Sequence, residues 1–523
     1  LKPHYGSDVN KQIVNSLIVL AIIILIVTGF NFTNLYISQA TKRSKEVGIK
    51  KVNGIVRSRI VLQFMFEIFI QCLLALLVSF VFVIIGLPYF NQLLQVDLLI
   101  SGINSAIITQ LFLALIVVTL TASLYPSLMM AGFKPIEVLR GNVLINVGKG
   151  AWVRNTITVL QFTFTIVFII SLMVIYQQVK FMKTESPGFS PQQVIYVDNL
   201  SLFNHPRKFK SVRERIKAIP GVKYVTVTSN VPGGILPAAH EYEVQHKDYA
   251  LNTVSVDYEY FKTLNIKLAK GRVFSSYFFG DSLNAIINET AAKAMGLKSP
   301  IGETIKSKEI NYSVIGVIKD VKSDGFEVNV KPTIYVMSDS YGLAKTQIMI
   351  SAENNSIPAM LKILNSEWSS INRLDGDNFN YHFLDELYGK LFVKQEQLQT
   401  VLFSFSLLAL FIASLGFFSL AAHAIRLRMK EIAIRKVFGA GKNQLMVVLS
   451  KPFFYIVLIA NLLAWPVAFI IVNKWLETFA FRVQISIMPF IIALMVSFAI
   501  VIFTVCLQMM SAVRFNPALK LKV

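Results

Sequence analysis

Lys45-Glu46-Val47-Gly48-Ile49-Lys50-Lys51-Val52-Asn53-Gly54 and, far downstream, Lys430-Glu431-Ile432-Ala433-Ile434-Arg435-Lys436-Val437-Phe438-Gly439 are two versions of one ten-residue phrase. Eight of the ten positions are identical or exchange Lys for Arg or Val for Ile. Each copy follows a long apolar stretch, and each is followed by two more. A weaker echo closes both sets: Pro135, Leu139 and Arg140 in the first, Pro517, Leu521 and Lys522 in the second. Repetition of this kind marks two copies of one unit. Each half of the chain therefore ends in a three-span unit, with a basic loop after its first span and a Pro-Leu-basic tail after its last.

In a helix, Ile49 and Val52, or Ile434 and Val437, lie one turn apart. The phrase reads as a short amphipathic helix along a membrane surface, its apolar face toward lipid or the span ends. Its Lys and Arg face anionic headgroups or a protein partner, and Gly54 and Gly439 stop it. Simple topology explains the basic charge. It does not explain why one acid, Glu46 or Glu431, recurs at the same place. The residues expected to couple to a partner are Lys45, Glu46, Ile49, Lys50, Lys51 and Gly54 in the first copy. In the second they are Lys430, Glu431, Ile434, Arg435, Lys436 and Gly439.

Working outward, the composition agrees with a bilayer as the main solvent. Of 523 residues, 54% are hydrophobic and 15% charged, against about 25% charged in a soluble domain. A span needs about 20 apolar residues. Seven stretches qualify: Ile13–Tyr36, Ile60–Leu87, Ser105–Met129, Asn155–Tyr176, Gln399–His423, Leu445–Val472 and Ile485–Met510. The net charge of +21 does not point to nucleic acid, because the Lys and Arg cluster beside the spans. That is the positive-inside pattern. It places the loops after spans one, three and five and the C-terminus in the cytoplasm. Pro88–Gly102, with only Asp97 charged, and the long segment Gln177–Glu396 lie outside. The first apolar run is too long for a signal peptide and reads as a true span.

The long segment alternates short β-rich runs with helical ones. Strands are expected at Val194–Val197, Tyr224–Val227, Tyr242–Val244, Val254–Val256, Tyr312–Val317, Thr333–Met337 and Gln347–Ile350. Helices are expected at Phe209–Ile219, Glu289–Met295 and Ile357–Ile371. Leu384–Leu398 reads as a helical stalk running into span five. The fold class is thus an α-helical polytopic membrane protein with seven transmembrane helices and an inserted extracytoplasmic α+β domain. Its divisions are 1–150, a three-helix unit; 151–177, the span opening the second half; 178–397, the outer domain with its stalk; and 398–523, the second three-helix unit.

Other chemistry finds little support. Gly439-Ala440-Gly441-Lys442-Asn443 resembles part of a phosphate-binding loop, but Lys436 replaces its first glycine and Asn443 its Ser/Thr. Cys72 and Cys506 lie in apolar runs and form no metal or disulfide pattern. His240 and His246 would share a strand face but stand roughly 20 Å apart, too far for one metal. Glu67 is the one clear acid within a span, and an interfacial or interhelical contact is its expected role over proton relay. No catalytic residue, cofactor site or metal site is expected.

The paired phrase just after a span resembles the signature of the FtsX-like permease family, in its MacB-like branch. Leu160-Gln161-Phe162, Gln177-Gln178, Gly188-Phe189, Asp257 to Phe261, Gly271-Arg272-Val273-Phe274, Ile287-Asn288-Glu289, Ile315 to Asp320 and Leu415 to Phe418 agree with it. The resemblance implies two halves, each a span, a periplasmic core domain and three spans. This chain carries the last three spans of the first half and all of the second. It further implies an ABC permease whose ATP and Mg are bound by a partner ATPase chain, in a bacterial inner membrane. Membrane lipids, a periplasmic adaptor or outer-membrane protein, and a second copy of the chain are further implied partners. The alternative is an FtsX-type scaffold that relays ATPase motion to a cell-wall hydrolase or a peptide-sensing complex.

Overall fold

The structure, a computed structural model, describes residues 11–94, 97–99, 104–132, 151–198, 206–308, 310–337, 345–353, 356–371, 379–428, 431–432, 434–435, 438–439 and 441–513. The chain divides into two compact units. One comprises residues 1–176, 397–474 and 484–523; the other comprises residues 177–396 and 475–483.

The first unit holds helices long and apolar enough to cross a membrane. Among the described residues the seven candidate spans are Ile18–Tyr36, Arg57–Gln92, Ser105–Ala131, Trp152–Thr184, Leu384–Ile425, Gln444–Leu476 and Met488–Gln508. Several helices overrun the expected limits. The helix of span one is continuous from Lys11 to Val52, because nothing after Tyr36 breaks it: the sequence there is polar but free of Pro, and its one Gly, Gly48, is tolerated within a helix. The first copy of the phrase is therefore the end of span one, not a separate surface helix. The helix of span two passes through Pro88 to Leu94, where a loop was expected. The helix of span four runs on to Thr184. The expected stalk is three pieces: a helix over Leu384–Gly389, a 3-10 turn over Lys390–Phe392, and a helix over Val393–Leu427.

Spans four to seven share one apolar core, which includes Phe162, Ile166, Phe417, Phe453, Val457 and Val501. Ala460, Ala464, Ala468 and Ala493 are fully buried in it, small residues that let helix backbones approach closely. Spans one to three form a second core around Tyr36, Ile60, Phe64, Ile68 and Met130. A polar seam joins spans one, four and five. Asn31 Nδ2 and Gln161 Nε2 both donate to the Ile412 carbonyl at 3.2 Å, and Asn34 Nδ2 donates to Thr158 Oγ1 at 3.4 Å.

The second unit holds two sheets. In the first, β11 (Tyr381–Phe383), β1 (Val194–Val197), β10 (Gln347–Ala352) and β2 (Val222–Thr228) lie in that order, every pair antiparallel. Strand side chains alternate between faces. Ile195, Val197, Ile348 and Ile350 pack under the helices Pro206–Lys217 and Ile357–Ile371. Val194, Tyr196 and Met349 enter the other core. Both faces are buried, which is why β1 is apolar throughout rather than alternating.

The second sheet has the order β5 (Leu268–Gly271), β8 (Asn311–Ile318), β6 (Asn284–Asn288), β9 (Thr333–Val336), β4 (Lys247–Ser255), β3 (Ala239–Val244), β7 (Thr304–Lys306), and β7 also pairs with β8. The last six strands therefore close into a ring, with β5 outside it. Tyr242, Leu251, Ala285, Ile287, Tyr312 and Ile334 fill one buried core of this sheet. Gln245 and His246 have φ of 51° and 62° and turn the chain between β3 and β4. His246 is thus in a hairpin turn, not on the strand face with His240.

The second unit also takes in Trp475–Val483, the last two residues of span six and the start of the link to span seven. Gln178 is fully buried and holds this segment with both ends of its amide. Its Nε2 donates to the Phe481 carbonyl, and its Oε1 accepts from the Val483 N–H, each at 2.9 Å. Phe481 N–H donates to the Phe326 carbonyl at 3.1 Å, and Phe479 is buried in the core around Phe326, Tyr388 and Phe392.

Candidate partner-coupling site

The two copies of the phrase share one local geometry. Glu46 accepts from Lys50 Nζ at 2.7 Å, and Glu431 accepts from Arg435 Nη2 at 2.7 Å. Both pairs span four residues, the spacing that brings helix side chains together with the acid on the N-terminal side. The recurring Glu is therefore held by its own helix. Val47 is 0% exposed and its counterpart Ile432 is 6% exposed, while Ile49 is 56% and Ile434 48% exposed. Residues two apart on a helix point to nearly opposite sides. Val47 packs into the core of spans one to three, and Ile432 into that of spans four to seven.

The anchoring residues are Val47 and Ile432, which sequence reasoning passed over. Ile49 and Ile434 stand outward beside the Glu–basic pairs, and Val52 is exposed as well. The four-residue spacing of Glu46 from Lys50 and of Glu431 from Arg435 was the signal that could have found the pairing.

Both segments end in the same way. Gly54 and Gly439 have φ of 84° and 87°, the left-handed conformation that glycine adopts without strain. At the first, Gly54 N–H donates to the Lys51 carbonyl at 3.0 Å and Ile55 N–H to the Lys50 carbonyl at 3.1 Å, closing the helix end with a reversed turn. At the second, Phe438 N–H donates to the Ile434 carbonyl at 3.1 Å, as Asn53 N–H does to Ile49 at 3.0 Å. Lys51 Nζ donates to the Ala131 carbonyl at 2.7 Å, at the end of span three. The backbone of Lys45 is helical; Lys430 and Lys436 lie outside the described residues, as do the Pro-Leu-basic tails.

Glu67 is an interhelical partner. Arg43 Nη1 lies 2.6 and 2.7 Å from its two oxygens and 3.0 Å from Tyr36 Oη. Arg154 is 6% exposed within the helix Ala151–Thr184. Lys442 opens the apolar helix of span six, a setting unlike the strand-to-helix loop that cradles phosphate. Among the described residues no group of three His, Cys, Asp or Glu could hold a metal.

The motif residues of the inserted domain serve its framework. Asp320 accepts from Thr290 N–H at 2.9 Å and Thr290 Oγ1 at 2.7 Å, and Asn288 Oδ1 accepts from Ala291 N–H at 2.9 Å, so both acceptors tie down the start of the helix Glu289–Ala294. Asp257 is buried and accepts from Thr226 Oγ1 and from Glu259 N–H; burial pushes its carboxyl above the usual range.

Two family models match the chain. The MacB-like periplasmic core domain matches residues 156–363. The FtsX-like permease C-terminal model matches twice, over residues 18–135 and 403–517, so it falls once on each half. The chain belongs to the FtsX-like, MacB-like family of ABC transporter permeases. This chain is a membrane protein with an extracytoplasmic domain. A relative, the macrolide export ATP-binding/permease protein MacB of Bdellovibrio bacteriovorus, is 26% identical over 176 residues, 32% of this chain. The permease spans only 27% of that relative's length. Among solved structures, the periplasmic region of MacB from Actinobacillus actinomycetemcomitans is similar at 18% identity and a TM-score of 0.30, covering 40% of this chain and 97% of that one. The extracellular domain of the ABC-type transporter YknZ from Gram-positive bacteria is similar at 17% identity and a TM-score of 0.25, covering 34% and 94%.

Proposed function

We propose that this chain is the permease subunit of an ABC-type complex in a bacterial inner membrane, and that a separate ATPase chain docks on the two segments ending at Gly54 and Gly439. The matched geometry of those segments carries the reading: an inward Val47 or Ile432, an outward Ile49 or Ile434, and a Glu–basic pair beside it. The basic residues of these loops support a cytoplasmic position for them and for the C-terminus. Each segment offers an apolar knob with charged residues around it, the layout of an interface core and rim.

In this reading the inward residue fixes the segment to its own helices, and the outward one meets the ATPase. ATPase closure then moves the helices, and the motion reaches the extracytoplasmic domain, which exports or extracts a substrate directly or through a periplasmic adaptor or outer-membrane protein. The substrate itself need not cross between the helices. ATP and Mg are bound by the partner.

The test is a mild-detergent pull-down from native membranes, with mass spectrometry of the proteins that follow. An ABC ATPase is expected with the wild type. Ile49→Asp combined with Ile434→Asp should reduce its recovery roughly ten-fold or more, since burying one Ile is worth about 1.5–3 kcal/mol. Undiminished ATPase recovery with the double variant, itself still inserted, would remove the docking assignment. A cell-wall hydrolase beside the ATPase would favour the scaffold reading instead.

A further inference from the structure

An open groove of about 590 Å³ runs between spans two and three. Its walls include Leu62, Phe66, Phe69, Ile116 and Leu120, and one charged residue, Arg59, stands in its lining. Leu62, Phe66, Ile116 and Leu120 are exposed although they belong to hydrophobic spans. Arg59 lies in the first turn of its helix, which begins at Arg57, and it too is exposed. No carboxylate among the described residues pairs with it. The groove is thus hydrocarbon-lined along its length and cationic at one end.

The surroundings of that end are basic. Gln63, also in the lining, accepts from Lys50 Nζ at 3.1 Å, and Arg57 is exposed nearby in the same turn. Lys50 also pairs with Glu46, at 2.7 Å. A transmembrane helix from another protein would need small residues here for close packing, whereas the walls are Leu, Ile and Phe. An amphiphile with a negative head and an aliphatic tail matches both features.

We propose that this groove binds an anionic glycerophospholipid, with its phosphate on Arg59 and one acyl chain along Leu62, Phe66, Phe69, Ile116 and Leu120. The headgroup then stands beside the Glu46–Lys50 pair through Gln63. The inference rests on the chain crossing a bilayer; it does not depend on the ATPase docking reading.

The experiment places the full chain in nanodiscs of equal phosphatidylglycerol and phosphatidylcholine, extracts it briefly into detergent, and counts retained lipids by native mass spectrometry. The wild type should keep phosphatidylglycerol in preference. Arg59→Gln should lower that retention about five-fold, the attraction of one basic residue for an anionic lipid. Leu120→Trp, which fills the groove, should lower retention of both lipids. Equal retention of the two lipids by the wild type would overturn the proposal. So would an equal loss in Arg57→Gln, which leaves the groove lining intact and would mean diffuse surface attraction. Retention unchanged in both Arg59→Gln and Leu120→Trp would also overturn it. No ATPase is present in this measurement, so its failure is distinct from a failure of docking.

Discussion

At Gly416 the Asn31 and Gln161 side chains converge on span five. A Cβ there would lie 2.7 Å from Asn31 Oδ1 and 3.1 Å from the Gln161 amide. Both side chains are buried and their donors already share the Ile412 carbonyl, so neither can retreat without losing a hydrogen bond. Gly416→Ala should cost about 1–3 kcal/mol, as overpacking does, and lower the thermal midpoint of the detergent-solubilised protein. Gln178 is a second such residue. Without its amide, the Phe481 carbonyl and the Val483 N–H lose their partner, a cost of roughly 1–3 kcal/mol when such groups stay buried. Gln178→Ala should therefore speed amide hydrogen exchange over Ala480–Val483, while a distant amide such as Ile350 in β10 is unaffected. Asp281 adds a pH dependence. Burial alone would raise its carboxyl, but the bidentate Arg272 guanidinium at 2.7 and 2.8 Å, the Ser275 N–H and the Asn284 amide outweigh burial and hold it below the usual range. A depressed folded-state value means stability that is present above the unfolded carboxylate value, about 3.9, and is lost as pH falls through the folded one. Asp281→Asn should be less stable at neutral pH and show a shallower acid limb, read by exchange over residues 272–284.

At the scale of elements, the paired segments make a charge prediction. Glu431→Lys removes the partner of Arg435 and puts two cations one turn apart. It should weaken ATPase recovery or stimulation while membrane insertion is kept; unchanged coupling would mean that the pair does not orient Ile434. The segments also show what was legible in the sequence. Their repetition could be read directly, because it needs only residue identity. Which apolar residue turns inward could not, because Val47 and Ile49 are equally apolar and the choice depends on the neighbouring helices. Strand β1 and the helix Ile357–Ile371 were legible from their apolar runs and period. Strand β5, Leu268-Ala269-Lys270-Gly271, was not: all four residues are exposed, so no apolar alternation marks it and only pairing with β8 makes it a strand. The overrun of span one past Tyr36 was missed because hydropathy reports the bilayer, while helix continuation depends on the absence of a breaker.

For the whole molecule, the decisive features are the duplication of the three-span unit and the insertion of a two-sheet domain between the copies. The duplication could be seen in the sequence, and the FtsX-like model falling once on each half agrees with it. The contribution of Trp475–Val483 to the extracytoplasmic domain could not, because nine residues at the end of one span and the start of a short link carry no signal of a distant partner. That contribution has a consequence for biogenesis. During synthesis the ribosome finishes Glu396 and must add roughly 80 more residues, at about 5–20 per second, before Trp475 exists. For several seconds the nascent domain has two sheets, but the space of Phe481, whose ring meets that of Phe326 edge-on, is unfilled. Maturation of the domain therefore waits on synthesis of spans five and six, and translation order becomes a checkpoint. Nascent chains arrested before Trp475 should remain sensitive to protease around Phe326, and chains arrested well beyond Val483 should resist.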